Sequence, residues 1–139
     1  MARDLTSLES ALAQLEKSLA FVDSSLAQQD AALREQFRAA AIQAFEYTYA
    51  LCWKMLKRRI EENAPIPGEV DSLSFRELIR AGAEQGLISD PESWFEYRDK
   101  RNLTAHTYSQ ATAEVVLAAS RGLAKDARAL LEKLHGGAR

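Results

Sequence analysis

Two histidines and one cysteine are the only soft metal ligands in the 139 residues. That is too few for a four-ligand zinc site, and the single Cys52 excludes an intrachain disulfide. Glycine and proline are scarce, six and three, and all three prolines fall between positions 65 and 91, so the chain on either side runs on without a helix breaker. No run of 18 apolar residues occurs, and the first residues carry Arg3, Asp4 and Glu9 with no apolar leader behind them. A soluble, cytoplasmic protein without a membrane role is expected. An excess of one charge sign is also missing. Eighteen Lys and Arg stand against 20 Asp and Glu, a net charge of −2, which excludes a surface basic all over but leaves room for a local basic patch. Strand-forming residues are thin too: Val, Ile and Thr number 14 together, against 24 Ala and 18 Leu. That balance favours helix.

What is present is periodic. Leu5, Leu8, Leu12, Leu15, Leu19, Val22 and Leu26 recur at alternating steps of three and four and predict one helix with a narrow apolar seam. Thr6 and Glu9 offer a capping box at its start. Asp30 is the expected cap of a second helix of about eight turns that reaches towards Asn63 and stops before Pro65. Phe45, Tyr49 and Trp53 lie on one side of this helix and Tyr47 nearly opposite. Being apolar most of the way round, it requires a central place in a bundle or a second partner, such as a dimer mate. Ser74 and Glu77 open a short helix closed by Gly86, and Asp90-Pro91 opens the next, which carries Trp94, Phe95 and Tyr97. Beyond Ser109 a last helix repeats the seam with Ala113, Val116, Ser120, Leu123, Ala127, Leu130 and Leu134, then stops at Gly136-Gly137 with His135 as a C-terminal capping residue. The expected fold is all-α: an antiparallel, up-and-down bundle of four main helices plus one short helix, in a single domain over residues 1–139.

Residues 94 to 108 concentrate Arg98, Lys100, Arg101 and His106 beside aromatics, and no other stretch is so dense in groups that handle phosphate. Arg101 offers a planar fork that fits phosphate oxygens, and His106, with an ordinary pKa of about 6.5, gives or takes a proton near neutrality. Such a pair suits RNA cleavage without metal or other cofactor. Helical spacing sets a condition on it. Arg101 and His106, five apart, differ by about 140° around a helix, so the helix must end near His106 or the long Arg side chain must reach around. Asn102, four before His106, is the better orienter of the imidazole, and Tyr108 shares a face with Arg101 only if the helix continues that far. One chain offers a single catalytic His, and a twofold dimer would supply the second copy. The plain alternative is a lone His favoured by a helix C-terminus and arginines in solvated ion pairs. Lys54, Lys57, Arg58 and Arg59 form a second basic cluster that either extends a nucleic-acid groove or simply ends a long helix. Trp53 and Trp94 read as core or interface rather than stacking surfaces.

The run Arg101-Asn102-Leu103-Thr104-Ala105-His106-Thr107-Tyr108 resembles the R-x4-H-x-Y signature of HEPN-superfamily proteins. The run from Phe45 to Lys57, with its aromatics at 45, 47, 49 and 53, is similar to the aromatic helix of the nucleotidyltransferase substrate-binding protein family, the HEPN branch that includes HepT-like toxins. The resemblance extends from about Leu5 to Leu134. It implies a helical bundle that dimerises with its Arg-His motifs facing one cleft, and a partner, a small MNT-type nucleotidyltransferase. It also implies metal-independent endoribonuclease activity resting on Arg101 and His106, with Asn102 in support, Arg98 and Lys100 available to RNA or nucleotide, and Tyr108 as the residue to which the partner attaches AMP. Two other readings stay open: a non-catalytic subunit that binds substrate or nucleotide for a two-component nucleotidyltransferase, and a helical adaptor in which the motif only caps a helix.

Overall fold

The computed structural model describes residues 4–66, 68–104 and 109–136, and among them there are helices and no strand. Helix α1 spans Thr6–Val22, α2 Ser25–Gln29, α3 Ala31–Asn63, α4 Phe75–Glu84, α5 Pro91–Leu103 and α6 Gln110–Gly136, with a 3₁₀ turn at Glu69–Ser72 before α4. Three of the expected caps form. Asp30 accepts from the Leu33 N–H, Ser74 and Glu77 make a reciprocal capping box, and Asp90 accepts from the Glu92 N–H with Pro91 in the first helical turn. After α4, Gly86 takes φ +78 while the Leu87 N–H reaches the Gly82 carbonyl at 2.9 Å and the Gly86 N–H reaches Ala83 at 3.0 Å. This is the paired closure that a left-handed glycine permits.

Two expectations for the first helix need correction. It does not run to Leu26. It ends at Val22, and Ser24 caps the separate short helix α2 through the Ala27 N–H. Leu26, the last member of the supposed seam, is solvent-exposed. Nor do Thr6 and Glu9 form a capping box: Leu5 is the cap residue, and the Thr6 N–H is held by Asp4 Oδ1 at 2.9 Å. The extra break changes the helix count but not the class.

The bundle alternates in direction. Two ion pairs, Asp23 at the end of α1 with Arg121 and Glu16 with Arg128, and a contact of Glu9 with the His135 ring join α1 to α6, so the numbering rises along one helix as it falls along the other. His135 is thus a partner of Glu9 rather than only a capping residue. Between α3 and α6 the numbering rises together, from Arg34 and Arg38 at Glu114 to Arg59 at the Leu134 carbonyl. Helix α5 runs opposite to both, with Thr104 at Glu46 and Tyr97 at Asp126. The seam residues of α1 and α6, apart from Leu26, are all buried and meet α3 in one apolar core with Phe45 at its centre. Arg59 is buried as well and directs its charge to Leu134 and Glu62, which removes it from the expected basic groove.

Buried Arg38 and half-exposed Arg34 both donate to Glu114, holding its carboxyl well below the ordinary 4.5, at about 2. A depressed carboxylate adds stability that is present above its unfolded pKa of 4.5 and lost as pH falls through about 2. Glu114→Gln should therefore flatten the acid limb of stability between those values. At neutral pH it should cost about 1–2 kcal/mol, chiefly because Arg38 loses its charged partner. Urea unfolding of both proteins at pH 7 and pH 3 checks this, and a mutant with an unchanged acid limb would contradict it.

Candidate functional site: a basic cleft at the end of α5

Helix α5 is placed by its buried aromatics Trp94, Phe95 and Tyr97, and its later turns carry the exposed Arg98, Arg101 and Asn102 along the same face. Tyr97 donates to Asp126 on α6 and lies close against Gly122, where a Cβ would stand 2.9 Å from its hydroxyl. The glycine is what lets α5 sit this close. The helix stops at Leu103, with Thr104 as its cap residue. Beside the cap, the Thr104 hydroxyl lies between the Arg101 carbonyl and the Glu46 carboxylate of α3. At the far side of the motif, Ser109 caps α6 through the Thr112 N–H, and Gln110 is held by Arg38 and by Glu35 at 2.7 Å. Both flanks of the motif are therefore fastened to α3. His106 and Tyr108 lie outside the described residues. The helix that carries Arg101 and Asn102 ends at Leu103.

Arg98, Arg101 and Asn102 line one cleft of ≈ 460 Å³ together with Tyr49, Ala50, Trp53, Leu73 and Phe75. Lys100 is not among them and lies over a neighbouring depression with Asp90, Glu92, Glu96 and Asp99. The Arg98 guanidinium stacks 4.4 Å above the Phe75 ring, and Trp53 leans on the other contact of that ring at 5.0 Å between centroids. Arg101 has no ion-pair partner among the described residues, so its fork is open to an anion. Tyr49 is the buried floor. Burial pushes its phenol up to about 12 despite the pull of Arg98 and Arg101, which keeps it a proton donor rather than a base. Burial likewise pushes the Cys52 thiol up, so no thiolate nucleophile is at hand. Tyr49, Leu73 and Phe75 were not expected at the site. Their only signal in the sequence is aromatic spacing that serves a core equally well.

Among the described residues no cluster of three or more His, Cys, Asp or Glu has the placement of a metal site, and no helix is long and apolar enough to cross a membrane. Fold and cleft together define an all-α bundle with a cationic and aromatic cleft beside the end of α5. The family described as nucleotidyltransferase substrate binding protein like matches residues 3–136, and the chain belongs to it. It is 38% identical over 97 residues to the protein named Probable ribonuclease HepT of Haemophilus influenzae. That match covers 70% of this chain and 66% of the relative, just under two thirds of its length. A solved Haemophilus influenzae structure, said to reveal the fold of a substrate-binding domain of a nucleotidyltransferase, superposes with a TM-score of 0.87 at 32% identity, covering 95% of this chain and 99% of that one. A crystal structure from Thermus thermophilus superposes with a TM-score of 0.70 at 31% identity over 91% and 98% of the two chains.

Proposed function

We propose that this protein is a HepT-like, metal-independent endoribonuclease that works beside an MNT-type nucleotidyltransferase and is silenced by it. The observation that carries this reading is the exposed Arg101 fork, without an ion-pair partner among the described residues, set beside Asn102 and Arg98 in the last turns of α5. In the reaction the 2′-hydroxyl of RNA attacks the adjacent phosphorus and the bond to the 5′ oxygen breaks. His106 takes the hydroxyl proton, Arg101 balances the charge that builds on the non-bridging oxygens, and the imidazole of a second copy protonates the departing oxygen. Asn102 and Arg98 hold the phosphate, and Lys100 meets RNA further out. The second copy has a place to dock. Ala40, Gln43, Tyr47 and Ala50 form an uncovered stripe on α3, and Ala50 belongs also to the Arg101 cleft, so a homodimer built on the stripe brings two motifs together. Cleavage of RNA by the purified protein in EDTA, lost in His106→Ala, tests the proposal.

A second reading has support in the relative described as a substrate-binding domain: the same cleft holds a nucleotide for the transferase and cleaves nothing. Tyr108 separates the two. Under the toxin reading, the partner nucleotidyltransferase with ATP and Mg²⁺ places AMP on Tyr108, where the new anion occupies the phosphate site and the arginines retain it. Mass spectrometry should find the adduct on the wild type and not on Tyr108→Phe. Tight binding of the two proteins with no adduct and no cleavage would favour the substrate-binding reading.

A further inference from the structure

Trp53 stands where two surface cavities meet. The Arg101 cleft reaches it from one side, and a depression of ≈ 410 Å³ with Lys54, Lys57 and Arg58 begins on the other; Ala50 and Trp53 are the residues the two share. Lys57 is paired with Asp71 at 3.2 Å, whereas Lys54 and Arg58 have no ion-pair partner among the described residues. The two tryptophans differ in kind. Trp94 is 3% exposed, edge-on to Tyr97, but Trp53 is half-buried, and its neighbour one turn back is the small, exposed Ala50, so part of the indole borders both cavities. Phe75 supports the ring from beneath, so the platform is held without being closed.

Two groups of unpaired cations with an open aromatic ring between them match the chemistry of single-stranded nucleic acid, which alternates phosphates with stackable bases. A mononucleotide would use one group and leave the other idle. Lys54 and Arg58 lie one and five residues beyond Trp53, within about 8 Å along the helix axis. That is a reach suited to the next phosphate of a chain. We propose that Trp53 is a base-stacking platform that carries single-stranded RNA out of the Arg101 cleft: the nucleotide after the Arg101-bound phosphate lays its base on the indole, and the following phosphate lies against Lys54 and Arg58. This rests on the reading of Arg101 as a contact to an RNA phosphate. It adds that the substrate is unpaired at this point, because a base inside a duplex has no face free to stack.

The test uses the intact protein and a 2′-O-methyl hexa-adenylate, which lacks the attacking hydroxyl and so binds without being cut. Binding should quench tryptophan fluorescence, with buried Trp94 as a constant background. Trp53→Ala should weaken binding about tenfold or more, and Trp53→Phe, which keeps a ring on Phe75, should recover most of the loss. Lys54→Gln combined with Arg58→Gln, both at the surface, should lower the slope of log affinity against log salt by about 0.7, the share of the one phosphate they hold. Wild-type affinity in Trp53→Ala, with binding lost in Arg101→Ala, would overturn the platform and leave the RNA reading intact. Equal binding and quenching by AMP, with the salt slope unmoved by the double substitution, would overturn it in favour of a mononucleotide site. Full affinity in Arg101→Ala would remove the reading on which it stands.

Discussion

Arg101→Lys should lower EDTA-resistant RNA cleavage by about two to three orders of magnitude while the bundle remains as stable as the wild type. The two halves of that result have separate causes. The side chain is exposed and makes no ion pair among the described residues, so the fold loses nothing with it. A lysine keeps the charge but presents a single point, and the planar fork that spans two phosphate oxygens is gone. His106→Ala should cost about 10²–10⁴-fold, since it removes the proposed proton acceptor, and the wild-type rate should fall at acid pH, where an imidazole base becomes charged. Gel assays of a labelled RNA with chelator present measure all three. Wild-type rates in Arg101→Lys, or cleavage that vanishes on chelation, would sink the mechanism.

Phe45 and Tyr47 are two residues apart on α3 and should behave in opposite ways. Phe45 has no exposed surface and fills the centre of the core, so Phe45→Ala should lower stability by about 3–5 kcal/mol, read from the urea midpoint. Tyr47 is 60% exposed on the uncovered stripe. Tyr47→Asp should leave the unfolding midpoint of the isolated chain within about 0.5 kcal/mol. It should nonetheless shift sedimentation at low micromolar concentration from dimer to monomer and abolish cleavage, although Arg101 and His106 are untouched. A wild-type protein that sediments as a monomer under those conditions would remove the shared site from the proposal.

How far the sequence could be read depends on whether the deciding partner was local. Asp30, the Ser74 and Glu77 pair, and Asp90-Pro91 were legible because a cap is satisfied within three residues of itself. The break at Asp23 and Ser24 was hidden by Leu26, which continues the three-four spacing but points into water. Thr6 looked like a cap because nothing in its own residue type says that Asp4 reaches its amide first. Arg59 read as one of four cations on a helix end, and only a carbonyl 75 residues further along the chain makes it a core residue. At the site, Arg98, Arg101 and Asn102 stood together in the sequence as in the cleft, whereas the helix end at Leu103 and the separation of Lys100 into an acidic depression were not legible. Trp53 could not be told from Trp94 until the neighbouring helices showed which indole they cover.

The ion pairs along the outer side of the bundle are sorted by sign: Glu16 and the cap residue Asp23 stand on the α1 side, and Arg128 and Arg121 belong to α6, with Glu9 and the His135 ring as a third contact in the series. Each successive rung is seven residues on along both helices. At these positions an α1 brought against another molecule's α1 would set carboxylate against carboxylate, and α6 against α6 would set arginine against arginine. The first and last helices therefore discriminate between their rightful mate and a copy of themselves. Because these contacts are exposed, that discrimination weakens as salt screens it, so mispaired aggregates should be a hazard of concentrated brine rather than of dilute buffer.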